Sequence, residues 1–590
     1  MKSFFTLVSG FIVSIVIVVL GLYLFVRLTP PSSSSLVTKV LGLYKPEIIG
    51  FHPYWLVGAG KDSYAKDITT LAYFSLAVEK DGTIRKEDKP GEGEPGFVML
   101  SSDTYAATLS AHRKAGIKLS LLVQNMVEED ILALIATPEA HATKLVEEVA
   151  PIMQKHGFTD LNLDIESFTK ASESARLGYV QFVKAVKNEL TRLQLGTLTV
   201  ELTPKSPVEL HLIDVAKIGE IADYLVLMAY DYHYVFSSVA GPIAPLGGVP
   251  TTAEYDVETA LKETLRFAPA SKVILGVPLY GYEWETLKNI PGSAVIPGSW
   301  QLATGKRMDE FTRARFDSVE SRRACADCTK GFDAVAQEPY VIFPGETPRH
   351  FQQAFYENKE ALEAKITLAK KYQLAGVAMW AVGYESDGML APIDVYKNSV
   401  QYRGFGLKPA IPYTQIQPAS LTLSPPTHAL VGSIATMSGE VKKFGRQDEE
   451  YHILETVGPI VQGESVATGA DGNMVIQFSN AITMQVGPWS ELSFSELLPP
   501  NIAIRQKGGT VTYLLINKDT PWSIRVLQTL VVLEEGEMEV SVEGTRATVL
   551  QKAGRTVLGN IDADNNTTTY DLLEGKTAQL NESTQTVSIK

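Results

Sequence analysis

The stretch Gly157–Phe168, GFTDLNLDIESF, sets two acids and an amide into what otherwise reads as a buried strand. Side chains alternate across a β-strand, so Leu161, Leu163 and Ile165 share one face while Asn162, Asp164 and Glu166 share the other. The two carboxyls are then only about 7 Å apart along the chain, at roughly 3.3 Å per residue. Each disfavours the ionised form of the other, and a dry site raises both further, which is how a glutamic acid keeps a proton to donate near neutral pH. The bland alternative is a satisfied polar network, yet keeping two buried carboxylates costs several kcal/mol unless they are well compensated. General acid catalysis is the sharper reading, with Glu166 as the acid.

Such a strand must be held among others. Strand-like runs recur at EIIGFHPYW, TTLAYFSLAV, IKLSLLVQN, TDLNLDIES, TLTVELTPK, DYLVLMAYDYH, KVILGVPLYGYEW and LAGVAMWAVGYE, with amphipathic stretches such as EAHATKLVEEVAPIMQKHG between them. Eight buried strands alternating with helices predict an α/β fold, a (β/α)8 barrel over residues 46–402, whose site lies at the carboxyl ends of the strands. Asp164 and Glu166 fall at that end of the fourth. The interval 283–372 is too long for a βα connection and reads as an α+β insertion between strands 7 and 8. Prolines at 403–428 mark a linker, and short alternating segments over 429–590 predict an all-β domain.

A chain of 590 residues, 45% hydrophobic and 20% charged, exceeds one ordinary domain. Its net charge of −14 argues against nucleic acid as a partner. The uncharged run Ser3–Val26 is long enough to cross roughly 30 Å of hydrocarbon. It predicts a transmembrane signal anchor over residues 1–28 and a Pro/Ser stalk over 29–45, with the lipid bilayer as a partner and the barrel outside the cytoplasm. Cys325 and Cys328, the only cysteines, lack the second pair that a zinc site needs and are expected to form a local disulfide. No metal and no cofactor is called for.

TDLNLDIE resembles the D-x-x-D-x-D-x-E signature of family-18 glycoside hydrolases, the chitinase-like barrels. MAYDYH (Met228–His233) is similar to that family's M-x-Y-D, and GVAMWAVG (Gly376–Gly383) to its Trp-bearing eighth strand. Thr159 and Asn162 stand where chitinases usually carry Asp. Asn there resembles the branch containing spore-cortex and other peptidoglycan glucosaminidases. The resemblance implies that Glu166 is the general acid, that Asp164 orients the substrate's acetamido N–H and steadies an oxazolinium cation, and that Tyr230 hydrogen-bonds the acetamido oxygen. Asp231 would support sugar and acid, and Trp380 would lie under the −1 sugar. Asn162, Tyr54, Trp55, Asn125 and Tyr282 would line the cleft. The stretch Gly458–Leu497, with Thr468, Gly469 and Gly472 in a T-G-x-x-G turn, resembles an extracytoplasmic FecR-type β domain and implies an envelope partner.

The expected function is a membrane-anchored, extracytoplasmic hydrolase of β-1,4 bonds next to N-acetylglucosamine, in peptidoglycan or chitin-type glycans. The rival classes are a non-catalytic glycan-binding protein and a FecR-type sensor.

Overall fold

The computed structural model describes residues 42–316, 325–403 and 423–590, apart from Asp62 and Glu449. Eight parallel strands close into a barrel. In chain order they are Glu47–Pro53, Thr70–Ala77, Lys118–Asn125, Asp160–Ile165, Thr197–Leu202, Tyr224–Leu227, Val273–Pro278 and Gly376–Trp380. The first and eighth strands pair through Ile49 and Ala378, which shuts the ring.

Period-two alternation sorts the barrel into two shells. Odd positions of the fourth strand, Leu161, Leu163 and Ile165, join a large core under the helices, including Val146 and Val149 of Pro138–His156 and Phe182 and Val186 of Glu173–Leu193. Inside the barrel a smaller cluster, with Ile49, Phe51, Phe74, Leu122 and Ile274, fills one side. The fourth and fifth strands fill the other with buried Asp160, Asn162, Asp164, Thr199 and Glu201. The interior is therefore half oil and half acid.

Between the seventh and eighth strands stands a five-stranded sheet built from Gly281–Thr286, Gln301–Leu302, Thr329–Asp333, Glu338–Pro344 and Phe351–Tyr356. Cys325 and Cys328 are joined in a disulfide beside it. The helix Lys359–Lys371 follows and returns the chain to the eighth strand. The sequence run KVILGVPLYGYEW reads as one strand, and here the structure differs. The barrel strand stops at Pro278, and Gly281 begins a new strand antiparallel to Phe351–Tyr356. A Cβ at Gly281 would lie 1.9 Å from the Phe355 carbonyl oxygen, so only glycine admits that approach.

From Gly432 to Ile589 the chain is all β, fifteen strands in one hydrogen-bonded network. Its own core centres on Phe478, Phe494, Tyr513 and Trp522. It seats on the barrel side through an apolar cluster that joins Val239, Leu287 and Ile296 to Leu530, Val532 and Val557. The Arg446 guanidinium meets both oxygens of Glu254, each at 2.7 Å.

The single-pass membrane placement expected from the sequence is corrected. Among the described residues no helix is long and apolar enough to cross a membrane. The expected anchor at 1–28, most of the stalk at 29–45 and most of the linker at 403–428 lie outside the described residues.

Candidate active site

The fourth strand ends at Ile165, and the amide of Glu166 donates to the Asn125 carbonyl of the third strand at 3.0 Å. This fixes Glu166 at the barrel mouth, where its side chain is partly exposed. Asp164 lies one step deeper and is 3% exposed, with one carboxyl oxygen lacking any hydrogen-bond partner. Asn162, fully buried below it, donates its amide to Glu201 of the fifth strand at 2.7 Å. The other Glu201 oxygen is also unpartnered.

Burial pushes the Glu166 carboxyl up to about 7, and the charge of Asp231 adds to the rise. Burial raises Asp164 well above the carboxylate range, with Glu166 and Glu201 adding to it. Glu201 is raised by the same desolvation, against the pull of the Asn162 amide. Among the described residues no cation lowers any of these three. Such a set cannot be fully ionised near neutrality, so it holds protons ready for transfer.

The sixth strand stops at Leu227, and the chain then turns so that Tyr230 is buried and Asp231 opens to the cleft. Asp231 takes a left-handed φ of 60°, an uncommon conformation for a residue with a side chain. The Tyr280 hydroxyl donates to its carboxylate at 2.5 Å. Although Asp231 reaches solvent, surrounding protein atoms push its carboxyl up to about 6, and the Tyr280 and Tyr282 hydroxyls hold that rise in check.

An aromatic floor closes the other side. Trp380 ends the eighth strand with its ring 4.6 Å from Phe74, edge to face, and 5.7 Å from Phe51. Trp55, nearly half exposed, stands 6.4 Å from Trp380 and donates its indole N–H to the Tyr384 hydroxyl at 3.2 Å. Tyr54 packs edge-on against Trp55. Tyr282 belongs to the inserted sheet, not to the seventh strand, and carries the exposed Trp300 beside it, ring centres 6.2 Å apart. Asn125, expected to line the cleft, has two backbone partners. It donates to the Val78 carbonyl and accepts from the Val127 amide, so it pins the loops that flank Glu166.

Sequence reasoning missed Glu201, Tyr280, Trp300 and Tyr384. The alternation that turns Asp164 into the barrel also puts Glu201 of TLTVELTPK on the inner face, as the one acid of that strand. Among the described residues no group of three or more His, Cys, Asp or Glu is arranged to hold a metal ion.

Comparison with known proteins bears on the family and the fold. The family model described as glycosyl hydrolases family 18 matches residues 47–385, more than half the chain. The uncharacterized glycosylase YvbX of Bacillus subtilis is 23% identical over 335 residues, 55% of this chain and 83% of the relative. The cortical fragment-lytic enzyme of the same organism is 26% identical over 334 residues, which are 54% of this chain and only 65% of the enzyme. The chain thus spans just under two thirds of that relative's length. A crystal structure of the Ostrinia furnacalis Group IV chitinase, 17% identical, superposes with a TM-score of 0.50, covering 60% of this chain and 100% of that one, a likeness of fold. A closed parallel barrel with an acid row at its fourth strand, matched by the family model across all eight strands, places the chain in family 18 of the glycosyl hydrolases.

Proposed function

We propose that the protein is a retaining glycoside hydrolase that cleaves β-1,4 bonds next to N-acetylglucosamine, with the substrate's own acetamido oxygen as nucleophile. The observation that carries this reading is the placement of Glu166 at the barrel mouth, one strand step above the buried Asp164 with its unpartnered oxygen, where burial pushes the Glu166 carboxyl up to about 7. A carboxyl so poised stays protonated long enough to donate to the glycosidic oxygen. Protein nucleophiles of retaining glycosidases stand about 5–5.5 Å from the acid, whereas family 18 is a substrate-assisted exception.

In the proposed sequence Glu166 protonates the leaving oxygen while the acetamido oxygen attacks C1, and the C1–O bond breaks to give an oxazolinium ion. Asp164 meets the positive charge and the N–H, and Tyr230 hydrogen-bonds the acetamido oxygen. Asp231 supports Glu166 and the sugar, with Trp380 as the apolar platform. Water, deprotonated by the Glu166 carboxylate, then attacks C1 from the opposite face and restores the acetamide with the original configuration.

Similarity to a cortical fragment-lytic enzyme, within family 18, supports a glycan containing N-acetylglucosamine, of peptidoglycan or chitin type. The FecR-like reading of residues 429–590 remains part of the proposal, as an interaction module for an envelope partner.

The test pairs two substrates and one inhibitor. Acetylated chains are cleaved, fully deacetylated chains are not, and a thiazoline that copies the bicyclic intermediate inhibits with affinity ~10²-fold or more above substrate. Equal cleavage of both chains without thiazoline inhibition would assign the nucleophile to a protein carboxylate.

A further inference from the structure

A second set of buried charges lies behind the cleft. Glu338 opens an inserted strand, Glu357 precedes the helix Lys359–Lys371, and Lys365 lies on that helix. The three side chains are 0%, 0% and 1% exposed, and the Lys365 ammonium stands 2.7 Å from Glu357 and 3.5 Å from Glu338. Burying three charges is costly, and removing one partner is costlier still, so the set marks a place where geometry is tightly held.

What it holds is the loop that carries Asp231. The two Glu338 oxygens accept the amide N–H groups of Ile243, at 2.9 Å, and Ala244, at 2.7 Å. The Ile243 carbonyl in turn accepts from the amide of Tyr232, at 2.9 Å, next to Asp231. Within the same loop the half-buried His233 ring donates from Nδ1 to the Pro242 carbonyl at 2.7 Å. On the other side the Glu357 amide donates to the Tyr280 carbonyl at 3.2 Å, and the Tyr280 hydroxyl holds the Asp231 carboxylate. Both supports of Asp231 thus run back to one buried cluster. A left-handed aspartate persists only where its surroundings over-determine it, and here they do.

We propose that Glu338, held by Lys365, is a positioning residue of the catalytic centre, clamping Ile243 and Ala244 so that Asp231 stays in its left-handed conformation against Tyr280 and beside Glu166. The inserted sheet then acts on the reaction through Asp231, by fixing one charge at the cleft. This inference rests on the proposed role of Glu166.

The consequence is readable at a distance. Asp231 contributes to the raised proton affinity of Glu166, after burial. If the loop loosens, that charge moves away, Glu166 ionises at lower pH, and the basic limb of kcat/KM moves down. The experiment is the pH profile of Glu338→Gln on an acetylated oligosaccharide, in the full chain. The amide can accept only one of the two N–H groups. We expect kcat to fall ~10-fold or more with KM changed ~3-fold or less, because misplacement of reacting groups acts on the chemical step. The basic limb should move down by ~0.5 pH unit or more.

A folded Glu338→Gln protein with lower thermal stability but an unmoved limb and unchanged kcat overturns the proposal and leaves the cluster structural. If that variant does not fold, the double variant Lys365→Met, Glu357→Gln removes one cation and one anion together and is read in the same way. Glu166→Gln is run alongside. Should it keep full turnover, the acid assignment has failed instead, and the two failures stay distinct.

Discussion

Two buried acid clusters in this molecule face opposite electrostatic terms. At Glu338 and Glu357 a lysine stands between the carboxyls and backbone N–H groups meet both Glu338 oxygens, so burial is partly compensated within the cluster, with one Glu357 oxygen left unpartnered. At Asp164, Glu166 and Glu201 there is one amide, from Asn162, and no cation, and oxygens of Asp164 and Glu201 are unpartnered. Asp160, at the foot of the same barrel strand, shows a third solution, with hydroxyl donors from Ser120, Thr197 and Thr199 at 2.6, 2.6 and 3.1 Å. Burial raises the carboxyls in all three places, Glu357 to about 8 and Asp160 to about 6 despite their partners. What sets the row of Asp164, Glu166 and Glu201 apart is that no cation stands in it and that Glu166 reaches the barrel mouth, where its proton can be given away, whereas Glu338 and Glu357 are sealed from solvent.

The largest effect should follow from removing that proton. Glu166→Gln keeps shape and loses the acid, and turnover of an unactivated glycan should fall ~10²–10⁴-fold while binding persists. Retention of a tenth of wild-type turnover would remove Glu166 from the mechanism. Asp164→Asn should cost on the order of 10²-fold in kcat, the scale of losing one electrostatic support of the transition state. An unchanged kcat would break the assignment of Asp164 to the developing cation.

Stability separates the two clusters more cleanly. Lys365→Met leaves two uncompensated carboxyls and should destabilise by about 3–5 kcal/mol in urea unfolding. Glu201→Gln should do the reverse at high pH. Glu201 is raised above its unfolded value, so the native state binds the extra proton and wild-type stability falls as pH rises past the unfolded value, by at most about 1.4 kcal/mol per unit for one group. The variant lacks that fall and should gain on the wild type between pH 5 and pH 8. A gap that does not change with pH would mean that Glu201 stays unshifted. The smallest effect is expected at the seat of the C-terminal region. There Arg446→Met removes a half-buried bidentate pair with Glu254 and should lower stability by about 1–2 kcal/mol without moving the pH profile.

Much of this comparison was legible in the residues. Period-two alternation alone put Asn162, Asp164 and Glu166 on one face, and eight such runs gave the barrel and the position of the insertion. The position of Tyr282 was not legible, because VILGVPLYGYEW is continuously apolar and aromatic, and only the antiparallel pairing of Gly281 with Tyr356 reveals the change of sheet. Glu201 escaped because a single acid in a strand has no partner in sequence. Its partner, Asn162, is 39 residues away and is brought to it by barrel closure. The Glu338–Lys365 clamp is hidden for the same reason, since its targets at Ile243 and Ala244 lie 95 and 94 residues upstream. The strand-end place of Asn125 points to the cleft but does not show that its amide also ties Val78 and Val127.

The central claim is that the cation-free cluster keeps a proton on Glu166 into the neutral range. Its most direct measurement is a 13C NMR titration of the glutamate side-chain carboxyls in the intact protein, with Glu166→Gln used to identify the resonance by its disappearance. The account predicts a midpoint of about 7 for Glu166, with a further inflection as the neighbouring acids titrate. A single midpoint near 4.3, the value of an unperturbed glutamate, would contradict it.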